Sequence, residues 1–442
     1  MKSGIQWVAP FLVALLFHER ALCLLEHNVQ GVGQEQYLEA PIGVPQMPRE
    51  EWDAFLSENL GRDIAPWQTR APLSPADVLL QHKAILEEGL PPETFQLILI
   101  YNNRLYYPNR NDKDGSAYPA ENSPAGIAFH RKVTSFLSSG RRSLPNALFV
   151  FSFEDNRPRF CSPSSKFCTS VPMFSQFKTL GEPDGDDLDI LLPQWLYTPN
   201  SMYFYPWHLK KDIAFFRGEP FCSGYWAGQY RCFDACPRIS LAQQSHRDKE
   251  SGNCTVLDVS LVTSVQALLG PDGQLQPFRC LRKSLPAVPR VSIPGHSFYK
   301  WLVHMEGITA SSRLSQLMLI NSVVVMQRQA FIEYFYRSLK PHVHYVPFWN
   351  VTDNWAQDDI YKVIGALREK DISDPAGIQR IVHDAQSFAI RFTAPLSRFQ
   401  YLKDGLNAYR GLFNNTMDDF IEHYVLELRQ RGFIIPPPSP IS

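Results

Sequence analysis

The chain has 442 residues, too many for one ordinary globular core, so two domains, or one domain with large insertions, are expected. Hydrophobic residues at 44% and charged residues at 20% exclude an intrinsically disordered chain, and 35 prolines against 24 glycines without a Gly-X-Y period exclude a collagen-like one. Lys and Arg total 43 against 44 for Asp and Glu; no global field draws in nucleic acid or an anionic membrane, so any binding has to come from a local site.

The chain opens with Met1-Lys2, an apolar run from Ile5 to Phe17 and the polar His18-Glu19-Arg20, the layout of a signal peptide over residues 1–23 cleaved after Ala21 or Cys23. The run is too short to span a bilayer unless Leu22, Leu24 and Leu25 extend it, so a membrane is expected as a partner only if the leader stays on. Asn253, Asn350 and Asn414 open Asn-x-Ser/Thr triplets, which agrees with the endoplasmic reticulum or Golgi lumen, or secretion. Seven cysteines remain beyond the leader. Cys161 with Cys168 is the most local disulfide candidate, the group from Cys222 to Cys280 ties down a loop-rich segment, and one thiol is left over. A zinc site from Cys222, Cys232, Cys236 and Cys254 is the weaker reading, because no CxxC pair occurs.

Residues 24–72 read as a polar, Pro-studded lead-in, with regular structure starting at Ser74. Ser74-Pro75-Ala76-Asp77 then predicts a helix to about Glu88, and the apolar run Phe95–Tyr101 a strand covered on both faces. A helix from Ser123 and a second apolar strand, Ala147–Phe153, complete a βαβ unit that ends at Glu154-Asp155, beyond a strand's carboxyl end, where open α/β sheets bind ligands. The aromatic stretch with Trp195, Tyr197, Tyr203, Phe204, Tyr205 and Trp207 is expected to line a cleft, with plain packing under loops as the commoner alternative. A second α/β pattern follows: strands at Ile213–Phe216 and Tyr299–His304, the turn Gly307-Ile308-Thr309-Ala310-Ser311-Ser312-Arg313, a helix with Leu314, Leu317 and Met318, and a strand at Ser322–Met326. A diphosphate suits that turn, where free backbone N–H groups and a helix dipole would face it. Helices around Ile360–Leu367, Ile378–Phe388 and 416–431 close the chain.

Phe216-Arg217-Gly218, the 307–313 turn, Ser322-Val323-Val324, Glu333-Tyr334-Phe335-Tyr336, the run Leu339 to Pro347 and, upstream, Asn103-Arg104-Leu105-Tyr106 together resemble glycosyltransferase family 90, the protein O-glucosyltransferase and capsule xylosyltransferase family. The resemblance implies an α/β, GT-B-like fold of two Rossmann-like domains facing across a cleft. It places an acceptor-side domain at 73–208, a UDP-sugar-binding domain at 209–395 and C-terminal helices with a Pro-rich tail at 396–442. It further implies inverting, metal-independent transfer of glucose or xylose from a UDP-sugar to a hydroxyl of a protein Ser/Thr or a glycan, with no cofactor beyond that donor. By the same resemblance the catalytic carboxylate falls on Asp155.

The chemistry suits these residues. A carboxylate takes the acceptor proton as the hydroxyl attacks, and Asp155, with an ordinary pKa of about 3.9, would be ionised. Glu154 beside it points to the opposite face of an extended chain. Arg313 and the turn amides would meet the leaving diphosphate, and Glu333 the ribose hydroxyls. Arg238 resembles a family phosphate-contacting arginine, and Arg217 reads equally as cleft-facing or salt-bridged. Two other motifs are read as structural: Asp184–Asp189 as a solvated acidic loop, and His342 with His344 as strand neighbours sharing a face. The rival readings are an inactive relative acting as a lectin-like or chaperone-like binder, and a secreted surface glycoprotein.

Overall fold

The computed structural model describes residues 36–43, 47–109, 123–155, 160–181, 185–221, 236–252, 256–267, 281, 283–349 and 359–436. The expected leader, Asn253, Asn350 and most of the cysteine-rich segment lie outside them. Cys161 and Cys168 form a disulfide. Cys236 is also disulfide-bonded, and among the described residues no cysteine is free.

In chain order the described elements begin with strand β1 (Leu38–Pro41), helix α1 (Arg49–Leu56), a π turn (Ser57–Gly61) and helix α2 (Arg62–Gln68). Regular structure therefore starts well before Ser74. Phe55, Leu60, Ile64 and Trp67 recur every three to five residues, and all are buried in the core; this helical segment is part of the fold and not a strap over it. Asp63 on α2 is fully buried and pairs with Arg337 at 2.8 Å and Lys178 at 2.5 Å, binding three distant segments together.

Next come α3 (Ala76–Glu87), β2 (Phe95–Tyr101), β3 (Arg104–Tyr106), α4 (Pro124–Ser138), β4 (Ala147–Ser152), β5 (Phe174–Ser175), β6 (Lys178–Thr179), β7 (Ile190–Leu191) and β8 (Ser201–Phe204). The first sheet has the order β3-β2-β4-β5-β7. Its two long strands are buried on both faces, as their nearly unbroken apolar runs lead one to expect, but β2 runs antiparallel to β4. The expected parallel unit from β2 to β4 is thus corrected. A tight hairpin at Asn102-Asn103, with φ of 48° and 62°, reverses the chain into β3 before α4 begins, so β3, not β2, has the direction of β4.

The second sheet contains β9 (Lys211–Gly218), β10 (Leu257–Leu261), β11 (Tyr299–His304), β12 (Val323–Gln327) and β14 (Val346–Phe348), all parallel, in the order β10-β9-β11-β12-β14. Helix α5 (Pro237–Glu250) precedes β10, and the single-turn helix α6 (Leu314–Leu317) joins β11 to β12. In this doubly wound order the connections diverge between β9 and β11, which opens a crevice at their carboxyl ends. The small strand β13 (Phe331–Ile332) pairs with β6 and ties the two halves together.

Helices α7 (Asp359–Ser373), α8 (Pro375–Thr393), α9 (Pro395–Gly411) and α10 (Thr416–Gln430) follow. Ile378, Ile381 and Val382 of α8 belong to the core of the second sheet, whereas Ala385, Phe388 and Phe392 on its later turns belong to the core of the first. The chain crosses back between lobes inside this one helix. The architecture is the expected α/β, GT-B-like pair of lobes, with a mixed first sheet in place of a purely parallel one. No described helix is long and apolar enough to cross a membrane.

The aromatic stretch packs more than it lines. Trp195 is 1% exposed, Tyr203 meets Tyr37 edge-on, Tyr205 meets Phe298 and Trp207 meets Trp301. The acidic loop is solvated only in part: Asp186 is exposed, whereas Asp187 is buried and accepts from the Thr179 backbone N–H at 2.9 Å and hydroxyl at 2.6 Å, and Asp189 is buried as well; Asp184 lies outside the described residues. His342 and His344 do not share a face. His342 sits exposed at φ 63° in a turn, while His344 is buried against Phe388 with its Nδ1 accepting from Lys340 N–H at 3.0 Å.

Candidate active site

β4 carries the chain to Ser152, the buried Phe153 anchors the next position, and Glu154 and Asp155 emerge from the carboxyl end. The two side chains part as the extended backbone requires: Glu154 turns to the Thr94 hydroxyl, while Asp155 Oδ1 accepts from the hydroxyl of Thr309, a residue of the other lobe. Asp155 is exposed and so reachable. Protein crowded around its carboxyl nevertheless pushes the pKa up to about 6, against the pull of the Thr309 hydroxyl and the Arg238 charge and with a further push from Glu154. The ordinary value expected from sequence is corrected upward, although the group remains ionised at neutral pH.

Thr309 is held by the turn itself. The Gly307 N–H donates to the Thr309 carbonyl at 2.8 Å, and a methyl group on Gly307 would come within 3.1 Å of Arg238 Nη2. Gly307 therefore leaves the space that Arg238 fills. Arg238 is the second residue of α5; it is buried and donates to the carbonyls of Met305 and Glu219 at 3.1 Å each, with Nε unpartnered among the described residues. Ile308, Ser311 and Ser312 are partly accessible and Ala310 is buried. The Gln194 amide reaches the Ser312 carbonyl, and Arg398, itself fully buried, donates to Ser315 at 2.9 Å, so the turn is braced from the other lobe and from α9.

Two expectations about this turn change. The helix behind it starts at Leu314 and is four residues long, too short to carry much of a macrodipole, so charge at the site has to come from side chains. Arg217, the residue read two ways, pairs with Asp258 of β10 at 2.8 Å. Arg313 donates to the Arg217 carbonyl and lies 5.6 Å from the Phe216 ring, which Arg238 also faces at 5.5 Å.

Neither Arg313 nor Arg238 has a carboxylate at ion-pairing distance among the described residues. Burial and then the neighbouring Arg313 charge lower the Arg238 pKa to about 9, against the pull of the Glu306, Asp155 and Glu219 carboxyls. The same charges reach His304 at the end of β11, whose pKa falls to about 3, first from burial and then from Arg238 and Arg313. Two arginines that repel each other therefore stand at the crevice between β9 and β11, where an anion would relieve the repulsion.

A second feature at these strand ends carried no signal in the sequence reading. His304 Nε2, both carboxyl oxygens of Glu306, Gln327 Nε2, both oxygens of Glu333 and the Tyr336 hydroxyl are buried without a hydrogen-bond partner among the described residues. Against its burial, the Ala330 backbone, the Arg238 charge and the Gln327 side chain each pull the Glu306 pKa down. Burial raises the Glu306 pKa well above the carboxylate range and that of Glu333 to about 8, and both carboxyls act on Tyr336. So many orphaned buried groups are costly in a folded protein unless a ligand satisfies them. Of this group Glu333 was singled out in the sequence and Tyr336 stands in the same family motif; His304, Glu306 and Gln327 are isolated polar residues at the ends of apolar strands, a pattern that becomes informative only once the ends converge. Tyr197, exposed and electrostatically coupled to Arg313, is a further neighbour.

The family model for glycosyl transferase family 90 matches residues 129–418, a span that contains both strand ends, the turn and Glu333. The chain belongs to glycosyltransferase family 90. Among curated relatives of this family-90 chain, bovine protein O-glucosyltransferase 1 is 36% identical over 232 residues, 46% of this chain and 49% of that protein. O-glucosyltransferase rumi of Drosophila melanogaster is 34% identical over 142 residues, 32% of this chain and 28% of that protein. The matches span about half or less of those relatives' length. Among solved structures, Anabaena Alr3699/HepE in complex with UDP aligns at 12% identity and a TM-score of 0.26 over 45% of this chain and 49% of that one, a likeness too slight to carry an argument.

Proposed function

We propose that this family-90 protein is an inverting glycosyltransferase that moves glucose or xylose from a UDP-sugar to a hydroxyl of a protein Ser/Thr or glycan acceptor. The observation that carries the reading is the approach of Asp155, at a strand end of one lobe, to Thr309 in the turn at the crevice of the other. The acceptor-side lobe, read as 73–208, supplies the base, and the donor lobe, read as 209–395, supplies the nucleotide site. The names of the curated relatives support the choice of a protein acceptor and of glucose.

Asp155 accepts the acceptor proton as the new bond forms; its pKa of about 6 makes it a stronger base than an ordinary aspartate while leaving it ionised near neutrality. Arg238 and Arg313 stabilise the negative charge on the departing diphosphate, a preorganised pair of cations in the place a divalent ion would otherwise take. The orphaned oxygens of Glu333 and Glu306 and the Tyr336 hydroxyl suit the hydroxyl groups of ribose and sugar. The signal-peptide layout and the exposed Asn414, at the tip between α9 and α10, support work in the secretory lumen or beyond.

The test is Asp155→Asn, assayed with several UDP-sugars on peptide and glycan panels, with and without chelator. Transfer is expected to fall about 10²–10⁴-fold with UDP affinity retained. Full activity in the variant removes Asp155 from its role, and UDP binding by the wild type without transfer or hydrolysis supports the inactive, ligand-binding relative instead.

A further inference from the structure

We infer that Thr309 is a positioning residue for Asp155: its hydroxyl donates across the gap between lobes to Oδ1, fixing the carboxylate and leaving Oδ2 for the acceptor proton. This rests on the reading of Asp155 as base.

Three observations support it. Thr309 is buried at 5% exposure while Asp155 is exposed, so the donor is the fixed partner. Its backbone is locked by the Gly307 N–H bond to its own carbonyl, and a β-branched side chain has few χ1 states to lose. Among the described residues this hydroxyl is also the hydrogen-bond donor to the Asp155 carboxylate.

Against an ionised carboxylate a hydroxyl can only donate, so the contact favours the ionised base. It works in the same direction as the Arg238 charge and against Glu154 and the crowding of the site. In the reaction the acceptor O–H bond breaks as the bond to the anomeric carbon forms. Its proton passes to Asp155 Oδ2, the electron pair of the old glycosidic bond leaves with UDP, and Thr309 keeps its own proton throughout. Because Ser311, Ser312 and Arg313 follow in the same turn, a nucleotide seated there is in register with the base.

The experiment compares wild type, Thr309→Val and Thr309→Ser in the full chain. The Asp155 carboxyl is titrated by carbon NMR, with Asp155→Asn identifying its signal, and the pH profile of transfer is recorded beside it. Removing the hydroxyl is expected to raise the carboxyl pKa by about one to two pH units. The acid limb of the rate profile moves with it, so the valine variant is slower by roughly five- to fifty-fold at pH 6, a deficit that narrows as the pH rises. Serine restores both readouts, and Thr309→Ala replaces the valine variant if that one does not fold. A carboxyl pKa that stays put, or a valine deficit equal at every pH, overturns the inference. If the wild type transfers nothing, the functional reading fails while the NMR titration still decides the role of Thr309.

Discussion

Glu333 shows at the scale of one residue how a binding site works against the fold that holds it. It is 1% exposed, and both oxygens lack a hydrogen-bond partner among the described residues. Its carboxyl ordinarily titrates near 4.5, and burial lifts it to about 8, with the Arg398 charge pulling the other way. Between those values the folded state binds a proton that the unfolded chain has released. Stability therefore declines as pH rises across this window, and the ligand-free protein is best served by the neutral carboxyl. Glu333→Gln is expected to remove this part of the pH dependence and to raise the melting temperature above pH 8, while weakening nucleotide binding at least tenfold. Thermal scans from pH 5 to pH 9 with and without UDP check it; a variant that melts lower at pH 9 contradicts the account.

Among elements, the hairpin between β2 and β3 has the largest consequence. Asn102 and Asn103 both take the left-handed conformation, which asparagine tolerates better than most residues. Asn103 adds two bonds at 3.0 Å, donating to the Arg142 carbonyl and accepting from the Leu144 N–H, and so clamps the turn to the segment that leads into β4. The reversal that makes β4 antiparallel to β2 is held in place by this side chain and by that of Asn146, whose Oδ1 accepts from the Asn102 N–H at 2.9 Å. Asn103→Ala loses both bonds and meets the unfavourable φ, at a cost of about 2–4 kcal/mol by chemical denaturation. Asn102→Gly keeps the backbone bond to Asn146 and is expected to be neutral or slightly stabilising. An alanine variant as stable as the wild type would mean that the strand pair needs no clamp.

At the scale of the whole molecule, the chain returns to the first lobe after building the second. α8 shares its side chains between the two cores, and α10 buries Met417, Ile421, Val425 and Leu428 in the first, with Tyr101 donating to Glu422 at 2.9 Å. At about 1.5–3 kcal/mol for each of these side chains, α10 carries about as much free energy as a domain has in total. A chain ending at Asn415 is therefore expected to lose the cooperative calorimetric transition of the first lobe. A truncated protein that melts within a few degrees of the full chain shows the helix to be peripheral.

Much of this could be read without coordinates, for a definite reason. Phe95–Tyr101 and Tyr299–His304 appear as strands over the very residues that form them, because a short, mainly apolar run records burial locally. The motif residues near β9, β11 and Glu333 likewise pointed to the family. Helix α5, whose exposed positions are polar without a clear apolar stripe, gave no such periodicity and went unread. Pattern is a statement about each residue and solvent; it says nothing of which strand lies beside which, or in what direction. Those choices follow from chain reversals and from contacts between residues more than a hundred positions apart. Hence the Asn102-Asn103 turn, the pairing of Arg217 with Asp258 on the neighbouring strand and the shortness of the helix at Leu314 emerged only in the folded chain, and the meeting of Thr309 with Asp155 only when the two lobes came together.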